Sequence, residues 1–327
     1  MADAGDLQVH ALWADAGSKD KIASESCERA NEGLVFTLGA SCKIMRGTES
    51  HQTSLFPPMW NTMQAEEVGK AISTLRLEGP ESVSCSGRML TFDFGALIFT
   101  LAPLTHTSIQ FYPKEVWQQS VIPVNKKLRK YHVGLAFEFE KFVMAFLSYD
   151  LLFQPGWYCS MEDLPQRLPD VYDDFPGFLE TIAAHLKLSF NKPNTGKGRF
   201  ITAMHSNQSI WSKLGVGVYT ANEIMIAAGL PQDLTELEVL RVPSWMARVI
   251  AAFYTFAANT KHDDALWSLL RPSLHGGIMM APTQAQRARY ARWLLAYGKS
   301  ELKCTARHAA LIDEYNVCTS RCNIDPV

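Results

Sequence analysis

The chain has 327 residues, 47% of them hydrophobic and 20% charged, with a formal net charge of −2. That balance excludes disorder over most of the length and supplies apolar material for one large domain or two lobes with separate cores. A net charge this close to zero excludes binding to polyanions by bulk charge, so a nucleic-acid site has to be a local concentration of cations.

The acidic start "MADAGDLQVHALWADAG" lacks the basic flank and apolar centre of a signal peptide. The longest apolar runs, such as "VIAAFYTFAA" (249–258), fall short of the roughly 20 residues of a membrane span. A cytoplasmic or nuclear protein without a membrane span is the expectation. Seven scattered cysteines, an odd number, fit reduced thiols better than a disulfide framework.

Residues 1–32 are polar and rich in Ala, Gly and Ser, and read as an N-terminal arm. "GLVFTLGASCKIM" (33–45) predicts a strand and "MQAEEVGKAISTLRL" (63–77) a helix. From Val83 to Tyr112 the pattern turns to β: "RMLTFDF", "ALIFTLA" and "HTSIQFY" are runs of aromatic and β-branched residues, separated by Gly95 and Pro103. They predict a small antiparallel meander over about 83–112.

After Pro113 the spacing predicts helices almost to the end. In "LAFEFEKFVMAFLSYDLLF" (135–153), Phe139, Phe142, Val143, Phe146 and Leu147 recur at three- and four-residue intervals, the stripe of a core-facing helix. Residues 154–177, with four prolines and five acids, read as an ordered surface loop. Helices are expected at 178–190 and at about 200–213, 220–229, 233–240, 244–258, 263–270, 283–297 and 301–316. The helix at 283–297 is punctuated by Pro282, a Thr283/Gln286 capping pair and Gly298. The expected fold class is therefore mainly α. An N-terminal α+β lobe (33–190) and a C-terminal helical lobe (200–327) are joined by a basic hinge (191–199).

Charge is unevenly spread. Residues 1–240 carry 20 Lys/Arg against 27 Asp/Glu, and 241–327 carry 11 against 6. No acid occurs between Glu180 and Glu223, a gap that holds Lys187, Lys192, Lys197, Arg199 and Lys213. "NTGKGRF" (194–200) is not a phosphate-binding P-loop: the earlier glycine and the hydroxyl after Lys197 are both missing. "KLGVGVYT" (213–220) lacks the third glycine of a dinucleotide loop and reads as a turn before a helix.

Three basic segments interleaved with aromatics are candidates for contact with phosphates and bases. They supply Lys126, Lys127, Arg129 and Lys130 beside Tyr131; Lys192, Lys197 and Arg199; and Arg287, Arg289 and Arg292 with Tyr290, Trp293 and Tyr297. Guanidinium and ammonium groups pair with phosphates while rings stack on bases, the two interactions that single-strand binding needs. A solvated basic face is the competing reading. Cys304, His308, Cys318 and Cys322 form C-x3-H-x9-C-x3-C, two helical i, i+4 pairs compared with tetrahedral zinc sites, although the spacing is not a standard finger pattern. No metal or cofactor is assigned, and no hydrolase or metalloprotease signature occurs.

Two helical lobes, a basic hinge and a polar arm resemble the nucleoproteins that coat RNA-virus genomes. The segments 125–132, 187–213 and 287–307 carry that resemblance. It implies a non-enzymatic, self-assembling protein, located in the cell or the virion, that holds single-stranded RNA in a cleft lined by Lys192, Lys197 and Arg199. Two alternatives stay open. One is a capsid, matrix or scaffold subunit that assembles without nucleic acid. The other is an enzyme with dispersed site residues such as His205, His262 and Asp263.

Overall fold

The computed structural model describes residues 34–37, 76–77, 82–87, 89–95, 97–103, 107–124, 126–138, 142–149, 153–190, 198–206, 209–275, 279–299, 301–302 and 306–322. They fall into two compact units: one holds the described residues up to Gln166 together with Arg271–Thr283, the other Arg167–Leu270 and the chain from Gln284 on.

The first unit is built of antiparallel sheet. Its strands are β1 (Leu34–Thr37), β2 (Arg76–Leu77), β3 (Ser82–Ser86), β4 (Met89–Asp93), β5 (Ile98–Pro103), β6 (Thr107–Pro113), β7 (His132–Glu138), β8 (Phe142–Ser148) and β9 (Phe153–Tyr158), followed by the short hairpin β10 (Leu274–His275) and β11 (Met279–Met280). One sheet has the order β2-β1-β7-β8-β6 and the other β3-β4-β5-β9. Inward-facing rings join the two: Phe92 meets Phe146 at 5.7 Å, Phe94 meets Phe137 at 5.0 Å, and Phe99 meets Phe146 at 5.6 Å and Trp157 at 4.8 Å between centroids. Phe92, Phe94, Phe99, Phe137 and Phe146 are fully buried, which makes this ring cluster the centre of a sandwich core.

This architecture corrects the expectation of a mainly α protein. The described residues of 135–153 hold the end of β7, all of β8 and the start of β9, and none of them is helical. The reason is physical. β8 lies between β7 and β6, and both of its faces are covered: Phe146 joins the ring cluster, while Val143 and Ala145 pack with Tyr112, Trp117, Val121 and Val133. A strand buried on both faces loses its two-residue alternation, and its apolar run then mimics helical spacing. The meander is also redrawn. β3, β4 and β5 pair in succession, whereas β6 leaves that sheet and pairs with β8, Ile109 opposite Phe146 and Phe111 opposite Met144. The strand predicted within 33–45 is present as Leu34–Thr37. Of the helix expected at 63–77, residues 63–75 lie outside the described residues, and Arg76–Leu77 are a strand.

The second unit is helical: α1 (Phe175–Phe190), α2 (Phe200–His205), α3 (Ile210–Lys213), α4 (Val218–Ala227), α5 (Glu236–Arg241), α6 (Pro243–Lys261), α7 (Gln284–Trp293) and α8 (Ala306–Cys322). Phe178, Phe200, Trp211, Ile224, Val249 and Phe253 lie at its core. α5 opens with a complete capping box, Thr235 accepting from the Glu238 N–H and Glu238 accepting from the Thr235 N–H, and Pro243 occupies the first turn of α6. After α4 the chain reverses at Gly229, whose φ of +63° is left-handed. The half-buried Arg248 of α6 closes that end, donating to the carbonyls of Ala228 at 2.8 Å, Gly229 at 2.9 Å and Leu311 of α8 at 3.0 Å. Among the described residues, no helix is long and apolar enough to cross a membrane.

Candidate nucleic-acid interface

In the helical unit, α7 carries no acid and buries no residue. Arg289 and Arg292 project about 60° apart on it, whereas Arg287 lies beyond the rings. Trp293 packs on Phe256 at 6.0 Å and Tyr290 stacks on Trp293 at 6.3 Å, while Arg287, Arg289 and Arg292 are exposed. The sequence placed 283–297 in one helix, but the helix stops at Trp293. Glu223 of α4 is the cause: its carboxylate, 3% exposed, accepts from the backbone N–H groups of Leu295 at 2.6 Å, Ala296 at 2.9 Å and Tyr297 at 2.8 Å. Donors captured by a carboxylate are withdrawn from the i→i−4 ladder, so the chain leaves the helix after the Leu294 N–H to Tyr290 bond and turns at Gly298, φ +71°.

Glu223 thereby sets what stands beside α4. Tyr219, in the first turn of α4, lies against Tyr297 with 3.9 Å between ring centroids. That turn has Gly217 as its N-cap, with no side chain capping it, and the exposed Lys213 ends the helix just before it. The positive end of the α4 dipole and the exposed Tyr297 thus stand together, with Lys213 four residues before the Gly217 cap in the chain. A phosphate is the ligand such a combination suits.

The other predicted cations are spread more widely. Arg199 is exposed; it bridges Thr235, and its neighbour Gly198 accepts from the Glu236 N–H at 2.9 Å. Lys192 and Lys197 lie outside the described residues. In the sheet unit, the helical turn Lys126–Arg129 ends at Lys130, whose φ of +65° is left-handed. Lys127 and Lys130 are exposed, and the Arg129 guanidinium lies 5.7 Å from the centre of the Tyr131 ring. The Lys126 side chain is outside the described atoms. The Tyr131 hydroxyl meets that of Tyr112 at 3.3 Å; burial, and then this bond, push the Tyr112 phenol far above its ordinary range and keep it neutral.

The candidates for dispersed chemistry take structural positions. His262 pairs through Nε2 with the Tyr172 hydroxyl at 2.8 Å, beside Lys261, which bonds Asp170 at 2.9 Å and Asp173 at 2.5 Å. Burial pulls the Lys261 ammonium down, but the bonds to Asp173 and Asp170 outweigh it and hold the group above the ordinary lysine value. Lys261 is therefore a fixed cation and not a nucleophile. His205 closes α2, and the Asp263 side chain is outside the described atoms. Among the described residues no group of three His, Cys, Asp or Glu side chains is placed to hold a metal. His308 and Cys318 sit ten residues apart on the single helix α8, about 15 Å at 1.5 Å per residue, so they do not meet at one ion. Cys304 and the side chains of Cys318 and Cys322 lie outside the description.

In the sequence Glu223 stood out only as the end of the acid-free stretch, not as a site residue. Its signal was present: an acid set among Ala221, Ile224 and Met225, closing the acid-free stretch, is more than a solvated charge.

The fold of this chain recurs in solved structures of other proteins. Crystal structures of the Lactococcus lactis formamidopyrimidine-DNA glycosylase, Fpg or MutM, share it over nearly the whole chain. The complex with tetrahydrofuran-containing DNA and an inhibitor aligns at TM-score 0.54 and 11% identity, over 93% of this chain and 91% of that one. The complex with DNA containing an abasic site gives 0.54 and 12% over the same shares. The complex with DNA carrying an N7-benzyl formamidopyrimidine gives 0.54 and 12% over 94% and 91%. No protein-family model and no curated protein sequence matches the chain. The resemblance to viral nucleoproteins is overturned by this fold. With it go the non-enzymatic genome-coating role and the virion setting that the resemblance implied, because the first of the two lobes on which they rested is built of antiparallel sheet and not of helices.

Proposed function

We propose that this chain binds duplex DNA and acts as a DNA-repair glycosylase on damaged bases. The observation that carries this reading is the shared fold, which spans more than nine-tenths of the chain and of proteins crystallised on abasic-site and formamidopyrimidine DNA. The local chemistry agrees with it. Arg287, Arg289 and Arg292 on α7, with Lys213 and the α4 N-terminus, are assigned to the phosphate backbone, and Tyr297 to the adjoining sugar or base. Arg199, Lys192 and Lys197 are assigned to phosphates as well, and so are Lys126, Lys127, Arg129 and Lys130 of the sheet unit. DNA replaces RNA as the expected partner, and the reading requires no self-assembly. The protein would work wherever the cell keeps its DNA, in nucleus or cytoplasm.

Two measurements test this. Fluorescence anisotropy with a duplex bearing a tetrahydrofuran site is expected to give tighter binding than the undamaged duplex, with single-stranded RNA a poor competitor. Incubation with a duplex carrying a formamidopyrimidine should release the base. Equal affinity for the two duplexes, together with no base release, overturns the proposal.

A further inference from the structure

A cavity of about 440 Å³ opens where the C-terminal end of α4 and its reversal meet α8 and the segment after α7. Its walls are apolar: Ile226, Leu230 and Pro231 come from α4 and the turn, Leu295 from the segment held by Glu223, and Ile312 from α8. Polar groups are few, with Gln232, His308 and Asn316 among the lining residues. Among the described residues, no Asp, Glu, Lys or Arg contributes to the lining.

These features define a ligand. Apolar walls with a few polar groups, at a volume within the roughly 300–1,000 Å³ of small-molecule sites, are the usual make-up of such a site. A charged ligand would lose its hydration without gaining an opposite charge. At the rim, Leu302 and Ile312 are 49% and 43% exposed, apolar surface that an occupant would take out of water.

We infer that this cavity is a binding site for a neutral, largely apolar small molecule with one hydrogen-bonding group. The inference is independent of DNA binding, since none of the described cations assigned to phosphates lines the cavity.

The test uses the full chain and the neutral fluorophore 1-aminoanthracene, whose emission rises in apolar sites. Titration is expected to saturate with one molecule per chain. Ile312→Lys on α8 and Leu302→Lys on the preceding segment each place an ammonium at the rim, and each should weaken the probe at least tenfold. Both residues are half-exposed, so a lysine at either position reaches water and the fold tolerates it. Val317→Lys, at a 50% exposed position of α8 outside the cavity, should leave the affinity unchanged. A wild-type chain that gives no saturable signal overturns the inference. So does equal affinity in wild type and in whichever of the two rim variants keeps the wild-type melting temperature.

Discussion

Replacing Glu223 by alanine removes the acceptor of three backbone N–H groups at 2.6, 2.9 and 2.8 Å. A hydrogen bond to a charged acceptor contributes about 1.5–3 kcal/mol, but Leu295 and Ala296 are half-buried and Tyr297 is exposed, so water recovers part of each. About 1 kcal/mol per bond, plus the void left by a side chain that is 3% exposed, gives a destabilisation of about 3–4 kcal/mol. Glutamine separates charge from shape. With its oxygen at the Oε1 position it keeps the bonds from Ala296 and Tyr297, but turns an NH2 group toward the Leu295 N–H, for a loss of about 2 kcal/mol. Urea denaturation, followed by hydrogen exchange over residues 284–299, should rank wild type above Glu223→Gln above Glu223→Ala. With a slope of about 1–3 kcal/mol/M, the alanine midpoint should fall by at least about 1 M. Exchange at Leu295–Tyr297 should rise before that of α6. DNA affinity should fall with it, because the arginines of α7 lose their fixed position beside α4. Unchanged exchange at 295–297 in the alanine variant, or a glutamine variant less stable than alanine, would refute the reasoning.

Changing Arg287, Arg289 and Arg292 together to glutamine should weaken DNA binding on damaged and undamaged duplexes alike. It should also reduce the slope of log K against log salt by roughly 2–3, since each lost phosphate contact removes about 0.9; an unchanged slope would place the DNA elsewhere. Gly229→Ala should cost about 2–4 kcal/mol, because a Cβ there sits 2.4 Å from the Leu311 Cβ and φ is +63°, whereas Gly298→Ala, φ +71° with open space around it, should cost about 1–2 kcal/mol of backbone strain alone. Similar melting shifts for the two would contradict the clash. Lys261, raised by Asp173 and Asp170, contributes stability that is fully present below the ordinary lysine value of about 10.4 and is lost as pH rises through its folded value. Lys261→Gln should therefore flatten the fall in urea midpoint above about pH 10, and a parallel fall in both proteins would show that the ammonium is not responsible.

Much of the helical unit was legible because its helices are amphipathic around one core and punctuated locally. Pro243, the Thr235/Glu238 box and Gly298 all mark ends where the chain turns. The sheet unit was legible only at its edge. The β3, β4 and β5 segments carry turn residues between short runs, but β8 is apolar on both faces, and no local signal separates Phe142–Ser148 from a buried helix. Which strand β6 joins was equally out of reach, since pairing with β8 is a contact across some 35 residues. At the candidate site the cations were readable as charge, yet the element that positions them was not. Glu223 acts on Leu295–Tyr297 from more than seventy residues away, through backbone donors that no side-chain pattern announces.

Arg248 changes what it means to shorten this protein. One guanidinium draws acceptors from the end of α4, from the left-handed turn and from Leu311 of α8, so α8 completes the solvation of a cation that sits more than sixty residues earlier, in α6. Removing α8 strips an acceptor from a half-buried charge as well as a helix from the surface. A deletion at the terminus is therefore an internal mutation in its energetics, and its damage should register first at Ala228 and Gly229.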